Sequence, residues 1–434
     1  MEPSGTRQQP PQSPLATWSA LGSGSPLQLV SVEVTMVELE FRRPIGTAIG
    51  SHRRRPLVMV RLVADGPGGP VVGWGECAAL ADTTFDDEDA ESAFAALTHE
   101  LVPKLGSHSQ AVSHSNTGLR SPAEADLPAS IDSPAAPTIP VPGPAALAGH
   151  LRPVGAPLAF AALEMAVADL HLRSSGISFA ELLGEPGASV LVGAVVGTSG
   201  SVTELLAQVD ALVDAGFARV KLKIGPGWDT VPATAVRRRY PDLILQVDAN
   251  GSYTSDDIDH LVELDQVGLA CIEQPFPRDE LGAHVALAHA MGTDVCLDES
   301  LDSPASVRRA IGMGACDVVC VKPARLGGLT AALEVYGDCT DAGVPLWLGG
   351  MFESGYARSV NTALAALPGF TLPGDLAPAG EYLTEDLVGP PGTGRTEGDG
   401  RLRVAAPTAP GMGPPPDEEI LARRATASWR WSGP

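Results

Sequence analysis

Lys223, Asp248, Glu273, Asp298 and Lys322 stand 25, 25, 25 and 24 residues apart, each at the end of a short apolar run. A charged group recurring at that interval fits one βα unit per step, with every group delivered to a common centre. A barrel of eight such units, about 250 residues long, presents its chemistry at the C-terminal ends of its strands, where this series would fall. The spacing therefore predicts an α/β fold, a (β/α)8-type, TIM-like barrel, with three carboxylates set between two lysines.

The runs RVKLKIG (219–225), LILQVDAN (243–250), LACIEQP (269–275), DVCLDES (294–300) and DVVCVKP (317–323) are near-continuous stretches of β-branched and aliphatic residues. That is the pattern of parallel strands buried on both faces. Segments of helical period, such as 255–267 and 303–313, are long enough to cross over between them. LVGAVVGT (191–198) reads as the first strand, 344–350 as the seventh and 370–376 as a short eighth.

Side chains alternate faces along a strand, so Lys221 and Lys223 point the same way. Two ammonium groups in a partly desolvated site disfavour each other's protonation, which lowers a lysine pKa from about 10.4 toward neutrality and suits it to act as a base. A solvated pair at a strand end is the plainer alternative, but it leaves the aligned carboxylates without a reason. Asp248, Glu273 and Asp298 come with no histidine or cysteine in the pattern, and hard oxygen ligands select Mg²⁺ or Mn²⁺ over zinc. Any one of them could be a helix cap or a loop ion pair; three at equal spacing argue for a metal centre. Asn250 and Glu299, next to two of the expected ligands, would orient the cluster.

KLK (221–223), VDAN around Asp248, IEQP around Glu273, LDES around Asp298 and VKP around Lys322 together resemble the enolase superfamily, muconate-lactonizing subgroup. KIGPGWD (223–229), RLGG (325–328), GGMFESGYAR (349–358) and TLPGDL (371–376) narrow the resemblance to its o-succinylbenzoate synthase / N-acylamino acid racemase branch, over 27–105 and 153–431. The resemblance implies a (β/α)7β barrel under an N-terminal α+β capping domain. It also implies one Mg²⁺, with Mn²⁺ as substitute, held by Asp248, Glu273 and Asp298, and a small-molecule carboxylate as substrate. Removing a proton beside that carboxylate gives an enediolate, which the superfamily stabilises with metal and lysine. Lys223 and Lys322 take the role of acid/base pair, Lys221 that of electrostatic helper, and Gly350 and Met351 that of substrate contacts.

Strands two and six lie four apart in a ring of eight, so the two lysines should flank opposite faces of the substrate. The reaction implied is dehydration of 2-succinyl-6-hydroxy-2,4-cyclohexadiene-1-carboxylate to 2-succinylbenzoate in menaquinone biosynthesis, with N-acylamino acid racemisation as the alternative. A dipeptide epimerase would be expected to show Asp-x-Asp after the last strand, where this chain has Asp375, Leu376 and Ala377. A Schiff-base aldolase would also place a lysine after strand six, but it needs no row of carboxylates. A barrel without chemistry should have lost one of the five groups. Gly251, Ser252 and Ala357 depart from the branch pattern at positions that would shape the pocket.

The expected capping domain, 27–155, has VSVEVTMVELEF, LVMVRLVAD and VVGWGECAAL as strands and an acidic helix over 86–101. Its loops PIGTAIGSHRRR (44–55) and ALADTTFDD (79–87) would cover the barrel mouth, and Arg53, Arg54 and Arg55 are either a solvated turn or a grip on an anionic substrate. A helix over 158–172 leads into the barrel, assigned to 156–376, and 377–434 returns to the cap. Residues 1–26, rich in Pro, Ser, Gly and Gln and without the apolar stretch of a secretory signal, read as a disordered tail. Residues 107–150 are dense in Pro, Ala and Ser and read as an unstructured insertion carrying solvated His108 and His114.

With 434 residues, 44% of them hydrophobic, the chain can bury a barrel core and a second domain. A net charge of −23 argues against nucleic acid or an anionic membrane as partner, so an anionic substrate must be attracted locally. No apolar run reaches the length of a membrane span. Six cysteines without a CxxC pair fit buried thiols in a reducing cytoplasm. A homo-oligomer is expected.

Overall fold

Strands β1 (Gln28–Gly46), β2 (Ser51–Gly66) and β3 (Gly69–Cys77) run as an antiparallel meander in a computed structural model that describes residues 13–24, 26–46, 51–105, 139–151, 155–389 and 394–433. In β1 the buried positions are Leu29 and Ser31, then Val32 and Val34, then Val37, Leu39 and Phe41, so the two-residue alternation changes phase twice. The first change coincides with Val30, one extra residue in the pairing with β2 that resets which side chains face inward; the second falls at Met36 and Val37, where the facing strand Ala425–Ser432 carries the extra residue Thr426. The meander packs on the helix Pro157–Ser175, whose residues 158–172 are all buried, as expected of a helix apolar on every side.

Two expectations for this part of the chain are corrected. Residues 14–20 form a helix rather than a disordered tail: Trp18 is fully buried, donates its indole N–H to Thr330 Oγ1 at 2.7 Å, and meets Phe179 edge-on. One large aromatic with a buried partner outweighs a polar composition. The end of the expected insertion is likewise built in. Strand β4 (Ile139–Pro140) pairs with β1, and the helix Pro144–Leu151 buries Leu147 and Leu151 against Pro157–Ser175. Residues 106–138, with His108 and His114, lie outside the described residues, as do residues 1–12.

Beyond β5 (Ser189–Leu191), seven parallel strands follow in sequential order: β6 (Gly193–Val196), β7 (Arg219–Lys223), β8 (Ile244–Asp248), β9 (Ile272–Glu273), β10 (Val295–Leu297), β11 (Val318–Val321) and β12 (Leu346–Leu348). The eighth position is filled without a strand of its own. Leu346 donates to Gly369 O, Thr371 and Asp375 donate to Leu346 O and Leu348 O, and Gly193 donates to Gly374 O at 2.8 Å. These bonds close the ring as a (β/α)7β barrel.

Crossover helices start on the signals their sequences carry, such as the Ser303 capping box with Pro304 at the first turn. The expected helix over 255–267 is instead two 3₁₀ segments around a short α turn. Its buried residues Leu261, Leu264 and Val267 recur every three positions, which is the 3₁₀ repeat.

The chain then returns through β13 (Arg395–Thr396) and β14 (Leu402–Ala405), which pair with β5's small sheet, to β15 (Ala425–Ser432), antiparallel to β1. All six cysteines are free and buried. Among the described residues no helix is long and apolar enough to cross a membrane.

Candidate active site

The parallel register of β7 to β11 brings the five spaced groups to one end of the barrel. Lys223 Nζ donates to Asp248 Oδ2 at 2.6 Å and to Asn250 Oδ1 at 2.7 Å, and Asn250 Nδ2 donates to Glu299 Oε1 at 2.8 Å. On the other side Lys322 Nζ donates to Asp298 Oδ2 at 2.7 Å. Between them Lys221 Nζ lies 3.0 Å from Glu273, 3.4 Å from Asp248 and 2.9 Å from Asp375. Asp248, Glu273 and Asp298 are buried.

Such a set of charges controls its own titration. Burial, and then the neighbouring charge of Asp248, push Glu273 up to about 8. Burial also opposes ionisation of Asp298, but Arg325 and Lys322 outweigh it and hold that carboxyl well below its ordinary value. Lys221 is shifted upward rather than downward. Burial does disfavour its charge, yet Asp375, Glu273 and Asp248 raise its pKa well above the ordinary lysine value. Lys322 is raised as well: burial and Arg325 work against its charge, and Asp298 prevails. For Lys221 the three carboxylates outweigh burial and the neighbouring Arg219, and so decide the sign.

Several residues at this centre were not anticipated from the sequence. Arg219, two positions before Lys221 and therefore on the same face, is fully buried; it pairs with Asp375, donates to Gln246 Oε1 at 2.6 Å and lies over the Trp347 ring. Gln246 in turn donates to Glu273 Oε2 at 2.6 Å. Arg325 joins Asp298 to Asp86 of the cap, the latter at 2.6 Å. The two-residue period would have found Arg219 and Gln246. Asp375 lies in the TLPGDL motif and Asp86 in the loop 79–87, but nothing local marks their pairings, whose partners are far away in sequence.

The capping loops sit differently from the expectation. The hairpin of β1 and β2 extends into the stretch expected as an open loop, pairing Ile45 with His52; residues 47–50 at its tip lie outside the described residues. Arg55 does not grip a substrate. It is fully buried and donates to Pro56 O, Ala78 O, Ala79 O, Met351 O and Phe352 O at 2.6 to 2.9 Å, bolting cap to barrel loop. Met351 is thereby held by its backbone, with its N–H on Glu353 Oε1 at 3.0 Å. At Gly350 a Cβ would stand 2.9 Å from Asp375 O, so only glycine fits.

Asn250, Gln274 and Phe352 adopt positive φ of 44°, 39° and 54°. Side-chain-bearing residues reach that region at a cost of about 1–3 kcal/mol each, and such strain clusters at functional loops. A cleft of about 360 Å³ opens from Glu299 and Arg325 past Arg278, Phe85 and Asp87.

Residues 204–420 match the family described as Enolase C-terminal domain-like, and the N-succinylamino acid racemase of Amycolatopsis sp is 38% identical over 402 residues, 92% of this chain and 98% of that protein. The chain belongs to the enolase superfamily. Within it, the o-succinylbenzoate synthase of Geobacillus kaustophilus is 34% identical over 388 residues, 89% of this chain and 93% of that one. A solved enolase superfamily structure from Listeria innocua superposes with a TM-score of 0.80 at 29% identity, covering 94% of this chain and 99% of its own. This superfamily enzyme therefore sits in the branch its motifs resemble, among relatives of two different activities.

The donor set suits a hard divalent cation. Three buried carboxylates come from adjacent strand ends, and Glu299 Oε2 beside them is buried without a hydrogen-bond partner. Among the described residues the closest trio of ligating types is Glu273, Asp298 and Cys320, within 4.8 Å of one another. Asp248, the third expected ligand, lies 2.6 Å from Lys223 Nζ and 3.4 Å from Lys221 Nζ.

Proposed function

We propose that this enzyme is an Mg²⁺-dependent o-succinylbenzoate synthase of menaquinone biosynthesis, acting on 2-succinyl-6-hydroxy-2,4-cyclohexadiene-1-carboxylate in the cytoplasm. The observation that carries the reading is the pair Lys223 and Lys322, on strands four apart in the ring with buried carboxylates between them. Asp248, Glu273 and Asp298 would hold the ion, which supplies positive charge against the negative charge that develops on the substrate carboxylate.

Lys223 removes the proton beside that carboxylate. As the electron pair forms the new C=C bond the C–O bond breaks, and Lys223 returns its proton to the departing hydroxyl, which leaves as water. Lys322 stays cationic on the other face. Asn250 and Glu299 hold Lys223 in place from behind, and Lys221 adds positive charge beside the centre.

Racemisation of N-succinylamino acids is the second reading, favoured by the 38% identical Amycolatopsis relative. It needs a base on each face, which the same lysine pair would provide. Comparing kcat/KM for the cyclohexadiene carboxylate with that for N-succinylamino acids decides between them. Dehydration is expected to be faster, and a racemase value about tenfold higher, roughly 1.4 kcal/mol in transition-state preference, would reverse the assignment. EDTA should abolish both activities and Mg²⁺ or Mn²⁺ restore them. Full turnover after exhaustive chelation would sink the metal-dependent mechanism.

A further inference from the structure

Cys320 lies on β11 two residues before Lys322, so both face the barrel interior and the thiol sits one layer deeper. Its Sγ and one carboxylate oxygen each from Glu273 and Asp298 all lie within 4.8 Å of one another. The three residues are 3%, 0% and 2% exposed, and they come from three adjacent strands. Gly349, just past the end of the neighbouring strand β12, leaves room for the sulfur, since a Cβ there would stand 2.5 Å from it. Cys296 by contrast is engaged by the Trp347 indole N–H at 3.2 Å, while no hydrogen bond holds Cys320 Sγ among the described residues.

Two carboxylates and a thiolate form a mixed hard and soft donor set. Thiolate sulfur prefers zinc-like ions to magnesium, and three protein ligands with a free position make a zinc-type geometry. In a tetrahedral set the ligand atoms stand about 3.5 Å apart, so the trio would need to close by roughly an ångström. We infer that this centre has a second binding mode, in which Glu273, Asp298 and Cys320 take a thiophilic divalent cation such as Zn²⁺ or Cd²⁺. The thiol proton leaves to solvent as the metal–sulfur bond forms. Two of the three ligands are shared with the Mg²⁺ reading, so the thiophilic ion competes with the productive one. The mode itself stands on Cys320, which that reading does not use.

The test is titration of Cd²⁺ into the full-length protein as purified, followed by the ultraviolet sulfur-to-cadmium charge-transfer band and by ¹¹³Cd NMR. One band saturating near one equivalent is expected, with a resonance displaced toward sulfur ligation. Cys320→Ser should abolish the band and weaken Cd²⁺ relative to Mg²⁺ by at least about tenfold, while Cys339→Ser, a thiol elsewhere, keeps it. A wild-type resonance in the all-oxygen range, or a band that survives Cys320→Ser, overturns the inference. Should Cys320→Ser fail to fold, the wild-type resonance decides alone. EDTA-resistant turnover would defeat the Mg²⁺ reading and leave the cadmium band untouched, so the two failures are distinguishable.

Discussion

Glu76, near the end of β3, accepts hydrogen bonds from the Ser354 backbone at 2.8 Å and from the Ser354 hydroxyl, at the start of the helix Gly355–Leu364. It joins the cap to the barrel loop that carries Met351. Burial raises its pKa from 4.5 to about 7, although the Ser354 bonds pull the other way; Glu353 adds to the rise and Arg55 opposes it. A folded pKa above the unfolded one means that the unfolded state ionises first. The stabilisation is therefore complete below about pH 4.5 and is lost as pH rises through about 7, an effect of up to ~3 kcal/mol.

Glu76→Gln keeps an acceptor for the Ser354 N–H and cannot ionise. Relative to wild type it should gain stability between pH 5 and pH 8.5, read from urea unfolding at the two values. Glu88, raised to about 7 by burial, remains in both proteins, so only the Glu76 share disappears. A difference between the proteins that does not change with pH would show that the ionised form is not strained there. None of this was visible in WGEC, because the burial of Glu76 depends on a segment nearly three hundred residues away.

At the scale of elements, periodicity was a good guide wherever one neighbour sets the pattern. The five barrel runs read correctly because both faces of each strand are buried, as the continuous apolar stretches require. It failed at 255–267, where apolar spacing fits an α or a 3₁₀ helix until packing chooses, and at the eighth strand, whose few bonds are made by a loop. Close approach of two elements is equally hard to read. β3 lies so near the helix Pro157–Ser175 that a Cβ at Gly75 would fall on the carbonyl oxygen of Ala162, and one at Gly73 on that of Ala166. Backbone cannot step aside as a side chain can. Gly75→Ala should therefore cost at least ~2 kcal/mol as strand and helix are forced apart. Gly68→Ala in the open turn beside it, where nothing lies within 4 Å, should stay within about 0.5 kcal/mol. Equal urea midpoints for the two variants would show that the contact is looser than it looks.

Across the whole molecule, the strand-end groups Lys223, Asp248, Glu273, Asp298 and Lys322 were legible because one repeating unit delivers each of them. The contacts of Arg325, Asp86, Arg55 and Asp375 were not, since they act between units or between cap and barrel, and composition misled for the same reason at the connection through 107–150. That stretch ends in β4, a short connection with Val141, and the helix Pro144–Leu151, which bury Ile139, Val141, Leu147 and Ala148, with β4 on β1 and the helix on the helices Pro14–Ala20 and Pro157–Ser175. A fully buried large aliphatic side chain contributes about 1.5–3 kcal/mol. Replacing all of 107–150 by a short Gly/Ser linker should then cost on the order of 5 kcal/mol or more and loosen the helix that carries Trp18. Excision limited to 107–136 removes only the segment of disorder-prone composition, and loop closure changes slowly with length, so it should cost about 1 kcal/mol or less. Urea unfolding of the two shortened proteins, followed by Trp fluorescence, separates the cases. If both excisions unfold alike and as late as the full chain, the packing of 139–150 contributes nothing to stability.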